Sequence, residues 1–197
     1  KHTVVFHTHS HSDHWRGDVQ LADLPDVTIV EPDNSEALHK FFGFEQWHEG
    51  HLAEHQNHWP DAHNHYDLGD RFLTILAIPG HQKDSIAIYD PQRQWLLTGD
   101  TFYPGLIYVD DWEQYTRSIA RLVEFAKDRA INAVLGTHIE MSNQPGVIYP
   151  IGSKYQPDER PLGLTLEHLE RLNEALQSVD GPHELIFDAF IVKPRPF

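Results

Sequence analysis

Four side chains of metal-ligand type, His9, His11, Asp13 and His14, fall within six residues in the run Thr8-His9-Ser10-His11-Ser12-Asp13-His14. Imidazoles and carboxylates this dense are productive only where the backbone aims several of them at one point. Side chains at alternate positions of an extended segment point to one side. His9, His11 and Asp13 are therefore expected to converge, with His14 on the next turn reaching a second ion. The apolar run Val4-Val5-Phe6 reads as a short buried strand that delivers the chain into this turn. Neutral imidazoles and carboxylates suit zinc, and also iron or manganese.

Three further candidates each follow a strand-like run. His81 follows Ile78-Pro79-Gly80, Asp100 follows Leu97-Thr98-Gly99, and His138 follows Leu135-Gly136-Thr137. Ligands at the ends of several strands gather at one edge of a sheet. The runs 72–78, 85–89 and 94–97 are spaced as an antiparallel meander. Strands are also expected at 27–30, 131–135 and 185–192. Helices are expected at 15–23, at 35–42 ending on Gly43, and at 111–129, where Trp112, Tyr115, Ile119, Leu122, Val123 and Ala126 form an i, i+3, i+4, i+7 stripe. A last helix carries Leu166, Leu169, Leu172 and Leu176 behind Thr165 as its cap. Residues 140–163 read as a long ordered loop and 45–70 as a polar, His-rich stretch. The turn bearing the first motif sits almost at the start of the sequence. Its sheet is expected to be unusually small, or to continue in residues upstream of Lys1.

Composition narrows the chemistry. The chain has 197 residues, 40% of them hydrophobic and 23% charged, which is enough for one ordinary globular core, and a single domain over 1–197 is expected. Lys and Arg number 15 against 30 Asp and Glu, a formal net charge of -15, which argues against a nucleic-acid partner. There is no Cys, so disulfides, thiolate zinc sites and cysteine nucleophiles are excluded together. No G-x-S-x-G elbow is present either. No apolar run approaches the ~20 residues of a membrane helix. A small-molecule substrate is the expected partner. A soluble protein is expected, with cytoplasm and periplasm equally open.

The elements T-H-S-H-S-D-H, P-G-H, T-G-D and G-T-H, in that order over residues 4–138, resemble the metallo-β-lactamase superfamily. The resemblance implies an α+β fold, a four-layer αββα sandwich with N-terminal strands missing or reduced, and a site at one sheet edge. It implies that His9, His11 and His81 bind a first divalent metal ion, that Asp13, His14 and His138 bind a second, and that Asp100 bridges them. Zinc is the expected metal, with iron and manganese as alternatives. Two cations hold a water between them and lower its pKa from 15.7 toward about 7, giving a hydroxide nucleophile. The resemblance implies that Asp13 and Asp100 are the catalytic carboxylates, with Asp13 able to accept a hydrogen bond from that nucleophile.

Within the superfamily, Asp100 argues against antibiotic hydrolysis, because true β-lactamases generally lack that bridging aspartate. His11 stands where flavodiiron-type oxidoreductases usually carry Glu. The ligand set resembles hydroxyacylglutathione hydrolases and lactonases, but 163–178 offers Arg171 and no basic cluster, so glutathione is not assigned. The segments Gly136-Thr137-His138-Ile139-Glu140-Met141 and Tyr155-Gln156-Pro157-Asp158-Glu159 resemble uncharacterised bacterial metallo-hydrolases. The expected activity is hydrolysis of a small ester, thioester or lactone. The alternatives are a metal-dependent phosphodiesterase or nuclease using the same two-metal geometry, and a non-hydrolytic metal-binding or redox protein.

Tyr103, Tyr149 and Tyr155 are candidates for substrate contact or proton supply, as is Tyr108, each set against simple packing. Glu140 is a candidate to support a ligand. Sixteen histidines exceed the needs of the site. His48, His51, His55 and His58 have helical spacing and read as one face of a solvated helix, with an accessory metal site or a lid as the functional alternative. His7 is expected beside the motif and not as a ligand.

Overall fold

The computed structural model describes residues 2–46, 58–61 and 63–196. In chain order the elements are β1 (Thr3–Val5), α1 (Ser12–Trp15), β2 (Val27–Ile29), α2 (Ser35–Phe41), β3 (Glu45–Gln46), β4 (His58–Trp59), β5 (His63–Asp67), β6 (Phe72–Ala77), β7 (Ile86–Asp90) and β8 (Trp95–Gly99). They continue with β9 (Leu106–Val109), α3 (Trp112–Ala126), β10 (Ala133–Gly136), β11 (Gly163–Leu164), α4 (Leu166–Ser178), β12 (Leu185–Ile186) and β13 (Ile191–Pro194).

The principal sheet has six strands in the order β11-β10-β8-β7-β6-β5. Strands β5 to β8 form the antiparallel meander, and β10 joins β8 in parallel after a crossover through α3. A three-stranded sheet, β12-β13-β9, and the parallel pair β1-β2 complete the framework around the site.

Strand β7 is buried at all five positions, and β6 over its last four. A sheet buried on both faces reads as a continuous apolar run, as these segments do. One face carries Leu76, Ile78, Ala87, Tyr89 and Leu96 and packs against α3 and α4. The other carries Ile75, Ala77, Ile86 and Ile88 and packs against Val30, Leu38, Phe42 and Phe44, with Val4 and Phe6 of the β1 region beside them. The result is helices, principal sheet, reduced second sheet, helix: the αββα arrangement. Leu169, Leu172 and Leu176 face the core on α4, each stabilising by roughly 1.5–3 kcal/mol relative to an exposed side chain. Side chains cap all three longer helices: Asn34 accepts from Ala37 N, Asp111 from Gln114 N, and Thr165 forms a reciprocal box with His168.

Four expectations need correction. The helix expected at 15–23 is one turn, α1, and a 3-10 turn at Asp18–Gln20, with no buried residue on either; there is no apolar stripe to hold a longer helix down. The strand expected at 185–192 is a hairpin of β12 and β13, folded back where Phe187 N donates to Phe190 O at 3.0 Å and the two rings stack at 4.4 Å. Strand β5 lies within the stretch read as merely polar, because as an outer strand it is held by backbone pairing to β6 and buries little. Strand β9 follows Asp100 closely, where no strand was expected. His48, His51 and His55 lie outside the described residues. His58 stands on a strand, β4, paired in parallel with β3, and not on a helix. Among the described residues no helix is long and apolar enough to cross a membrane.

Candidate metal centre

Strands β6, β8 and β10 run in one direction, since β6 and β8 are both antiparallel to β7 and β10 is parallel to β8. Their C-terminal ends share one edge of the sheet. Each is followed there by a ligand-type residue: His81, Asp100 and His138. The N-terminal motif is pinned to the same edge, where Ile86 N at the start of β7 donates to Thr8 O at 2.8 Å.

Two glycines allow the close approach. Gly99 has φ +54, and a Cβ there would stand 2.6 Å from Thr8 Oγ1. Gly80 has φ +137, and a Cβ would stand 2.4 Å from the Tyr115 backbone. Both are backbone conformations that L side chains rarely adopt. The Gly80 carbonyl also accepts from Asp110 N and Asp111 N, each at 2.9 Å, tying the His81 loop to the start of α3.

The seven side chains fall into two adjoining groups: His9, His11, His81 and Asp100, and Asp13, His14 and His138. In the first, His11 Nδ1 lies 3.0 Å from His9 Nε2 and 3.2 Å from His81 Nε2. Asp100 Oδ2 is 3.6 Å from both His9 Nε2 and His81 Nε2, 3.4 Å from His14 Nε2 and 3.3 Å from His138 Nε2. In the second group Asp13 Oδ2 is 3.5 Å from His14 Nε2 and from His138 Nε2. The helical turn that begins at Ser12 carries Asp13 away from the extended His9–His11 face and sets it with His14. This differs from the convergence expected of an extended segment.

The outward nitrogens of His81 and His9 have partners. His81 Nδ1 donates to the Tyr108 carbonyl at 2.7 Å, and His9 Nδ1 pairs with Thr8 Oγ1 at 3.1 Å. With its Nδ1 proton held by the Tyr108 carbonyl, His81 presents a bare Nε2 lone pair inward. Thr137 Oγ1 donates to Asp100 Oδ1. Burial pushes His9 down to about 2 against the pull of Asp100, and burial lowers His81 too. Burial alone would raise Asp100, but hydrogen bonds from His138, His14 and Thr137 outweigh it and hold the carboxyl well below the usual range. His138 is raised by its hydrogen bond to Asp100.

Around these groups lies a cavity of about 400 Å³, lined also by Ser12, Tyr103, Tyr108, Glu140 and Arg195. Tyr103 is buried, and its hydroxyl donates to Leu106 O at 2.7 Å. Glu140 accepts from Leu106 N at 2.7 Å. Tyr149 and Tyr155 do not line the cavity: the Tyr149 hydroxyl accepts from Asp158 N at 3.0 Å, and Tyr155 is 80% exposed. His7 pairs with Asp18 at 2.9 Å, apart from the two groups. Sequence reasoning missed Thr8, Thr137 and Arg195. The first two abut ligands in the motifs and were within its reach; Arg195 carries no local signal.

A family model described as the metallo-beta-lactamase superfamily matches residues 3–175. An acyl-coenzyme A thioesterase of Homo sapiens is 36% identical over 78 residues, covering 36% of this chain and 27% of that protein. A hydroxyacylglutathione hydrolase of Chromohalobacter salexigens is 30% identical over 136 residues, covering 66% of this chain and 46% of that protein. The matches thus span less than half the length of these curated relatives. Among solved structures, ETHE1 from Myxococcus xanthus has a TM-score of 0.51 at 19% identity, covering 92% of this chain and 71% of that one. An archaeal metallo-beta-lactamase superfamily protein from Sulfolobus tokodaii has a TM-score of 0.50 at 15% identity, covering 93% and 71%.

Proposed function

We propose that this chain, which belongs to the metallo-beta-lactamase superfamily, is a metal-dependent hydrolase that cleaves small thioesters with the help of two divalent cations, zinc foremost. One observation carries the reading: Asp100 Oδ2 lies 3.3–3.6 Å from four imidazole nitrogens drawn from both ligand groups. A carboxylate oxygen in that position suits a ligand shared by two ions.

The donor set fits such ions. Ligand atoms around a tetrahedral zinc with 2.0–2.1 Å bonds stand about 3.3–3.4 Å apart, and here the corresponding separations run from 3.0 to 3.6 Å. The buried Nε2 of His14 has only long contacts, 3.4 Å to Asp100 Oδ2 and 3.5 Å to Asp13 Oδ2, and a metal bond would satisfy it. His9, His11 and His81 would hold one ion, Asp13, His14 and His138 the other, and Asp100 both. When bound, the cations supply Lewis acidity and bring the pKa of water toward neutrality.

The chain's own residues supply the rest. Thr8, Tyr108 and Thr137 orient His9, His81 and Asp100. Asp13 is 57% exposed, and while Oδ2 faces His14 and His138, Oδ1 keeps its acceptor capacity. It can take a proton from attacking water and pass one to the departing thiolate. Water adds to the carbonyl carbon, the C–S bond breaks, and a carboxylate and a thiol leave. Burial and then Glu140 raise the Tyr103 phenol above its ordinary value, so it shapes the wall and does not supply the proton. The names of the relatives, an acyl-coenzyme A thioesterase and a hydroxyacylglutathione hydrolase, favour thioesters over the lactones and simple esters that the same ligands would also serve.

The test is a hydrolysis panel on zinc-loaded protein: a thioester, a lactone, an aryl ester, a β-lactam and a phosphodiester, each beside an Asp100→Ala control. Thioester turnover that the control lacks is the expected result. Turnover of the phosphodiester alone, or equal rates in the control, would overturn it.

A further inference from the structure

We infer that Arg195 receives an anionic group of the substrate, a carboxylate or a phosphate, beside the metal centre; this deepens the thioester reading and rests on it for the bond that is cleaved. Arg195 is the one Lys or Arg among the described residues that line the cavity. The other charged lining residue outside the ligand set, Glu140, is already committed to Leu106 N and Tyr103.

Arg195 is anchored at its backbone. Its backbone N–H donates to Val109 O at 2.9 Å, extending the parallel pairing of β13 with β9. It lies between Pro194 and Pro196, whose rings restrict the backbone on both sides. The head group stands 5.5 Å from the centre of the Tyr108 ring, and the carbonyl of that same residue orients His81. The charge is therefore anchored to the strand that positions a metal ligand.

It also has capacity to spare. One nitrogen pairs with Asp110 Oδ1 at 3.2 Å, with the two side chains 44% and 41% exposed. Exposed pairs of this kind are weak, and a guanidinium has five N–H donors. A planar, bidentate anion matches the donors that remain. A chain with a formal net charge of -15 repels anionic substrates at long range. A fixed cation at the cavity wall gives such a substrate one place to dock and one orientation.

The experiment compares three thioesters of the same acyl group: with coenzyme A, which brings phosphates, with glutathione, which brings carboxylates, and with neutral N-acetylcysteamine. For Arg195→Gln the ratio of kcat/KM, charged over neutral, is expected to fall about tenfold, carried by KM. Arg195→Lys is expected to recover part of it, and Asp110→Asn to raise it. The charged thiol whose ratio falls identifies phosphate or carboxylate. Unchanged ratios for both overturn the inference, as does an equal loss on the neutral thioester, which marks a structural role. Calorimetric binding of the uncleavable S-alkyl thioethers of coenzyme A and glutathione separates this from the thioester reading. If the zinc-loaded wild type hydrolyses none of the thioesters, that reading falls. Weaker thioether binding by Arg195→Gln then still upholds the anion site, and equal binding, or none to the wild type, overturns it.

Discussion

Thr137 donates its hydroxyl proton to Oδ1 of Asp100, and this leaves Oδ2 of the same carboxylate to face the imidazoles of both ligand groups. The division of labour between the two oxygens sets the carboxylate plane. Removing the hydroxyl while keeping the shape, as in Thr137→Val, should weaken metal binding by about 10–100-fold. Thr137→Ser should restore most of it. Titration against a competing chelator measures both, and an unchanged affinity in the valine variant would remove Thr137 from the site.

Acid should strip the two groups in order. His138 takes up a proton more readily than an ordinary histidine, because its hydrogen bond to Asp100 raises it, and a protonated imidazole cannot ligate. His9 and His81 are lowered by burial, His9 to about 2, so they stay neutral over the same range. As pH falls, proton competition therefore begins at His138, above the ordinary histidine value of about 6.5. Metal content after dialysis at stepped pH should pass from two ions per chain to one before the last is lost. Loss of both in one step would contradict the assignment.

Gly80→Ala should destabilise the fold and the His81 loop together. The new Cβ would meet the Tyr115 backbone at 2.4 Å in a conformation of φ +137, which costs at least about 1–3 kcal/mol in backbone strain alone. Gly17→Ala is the control, since nothing lies within 4 Å of its Cβ position. Denaturant unfolding of the two variants should separate them clearly; equal midpoints would show that the loop relaxes freely around the methyl group.

Tyr103→Phe tests the proton source. Its hydroxyl is spent on the Leu106 carbonyl, so the variant should lose about 0.5–1.5 kcal/mol of stability with kcat lowered only a fewfold. A fall in kcat of a hundredfold or more, in a protein that still binds metal, would reinstate the phenol as the acid. Tyr155→Ala, at an 80% exposed position, should alter neither quantity.

Much of the framework was legible in the chain itself. The stripe from Trp112 to Ala126 makes helix α3 where its periodicity places it, and the meander of β6, β7 and β8 follows the apolar runs closed by Pro79-Gly80 and by the turn after Asp90. Elements without such a pattern were hidden. Strand β5 buries little and owes its conformation to hydrogen bonds with β6. The pair β12 and β13 looks like one apolar run until Phe187 and Phe190 stack across its bend.

The seven ligand-type residues that gather at the sheet edge sit in local motifs, and so the sequence alone could name them as candidates. Ligand-type side chains at the ends of β6, β8 and β10 could be named because each follows a strand and a glycine-bearing turn. The resemblance implied their grouping, but what brings each group together is the tertiary structure. Asp13 joins His14 and His138 because a helical turn begins at Ser12, and Asp100 stands between the groups because parallel β8 and β10 end side by side. Arg195 reaches the same cavity only through the parallel pairing of β13 with β9. Spacing along the chain records which side chains share a face of one element; it holds no record of contacts made by strand pairing between segments far apart in sequence.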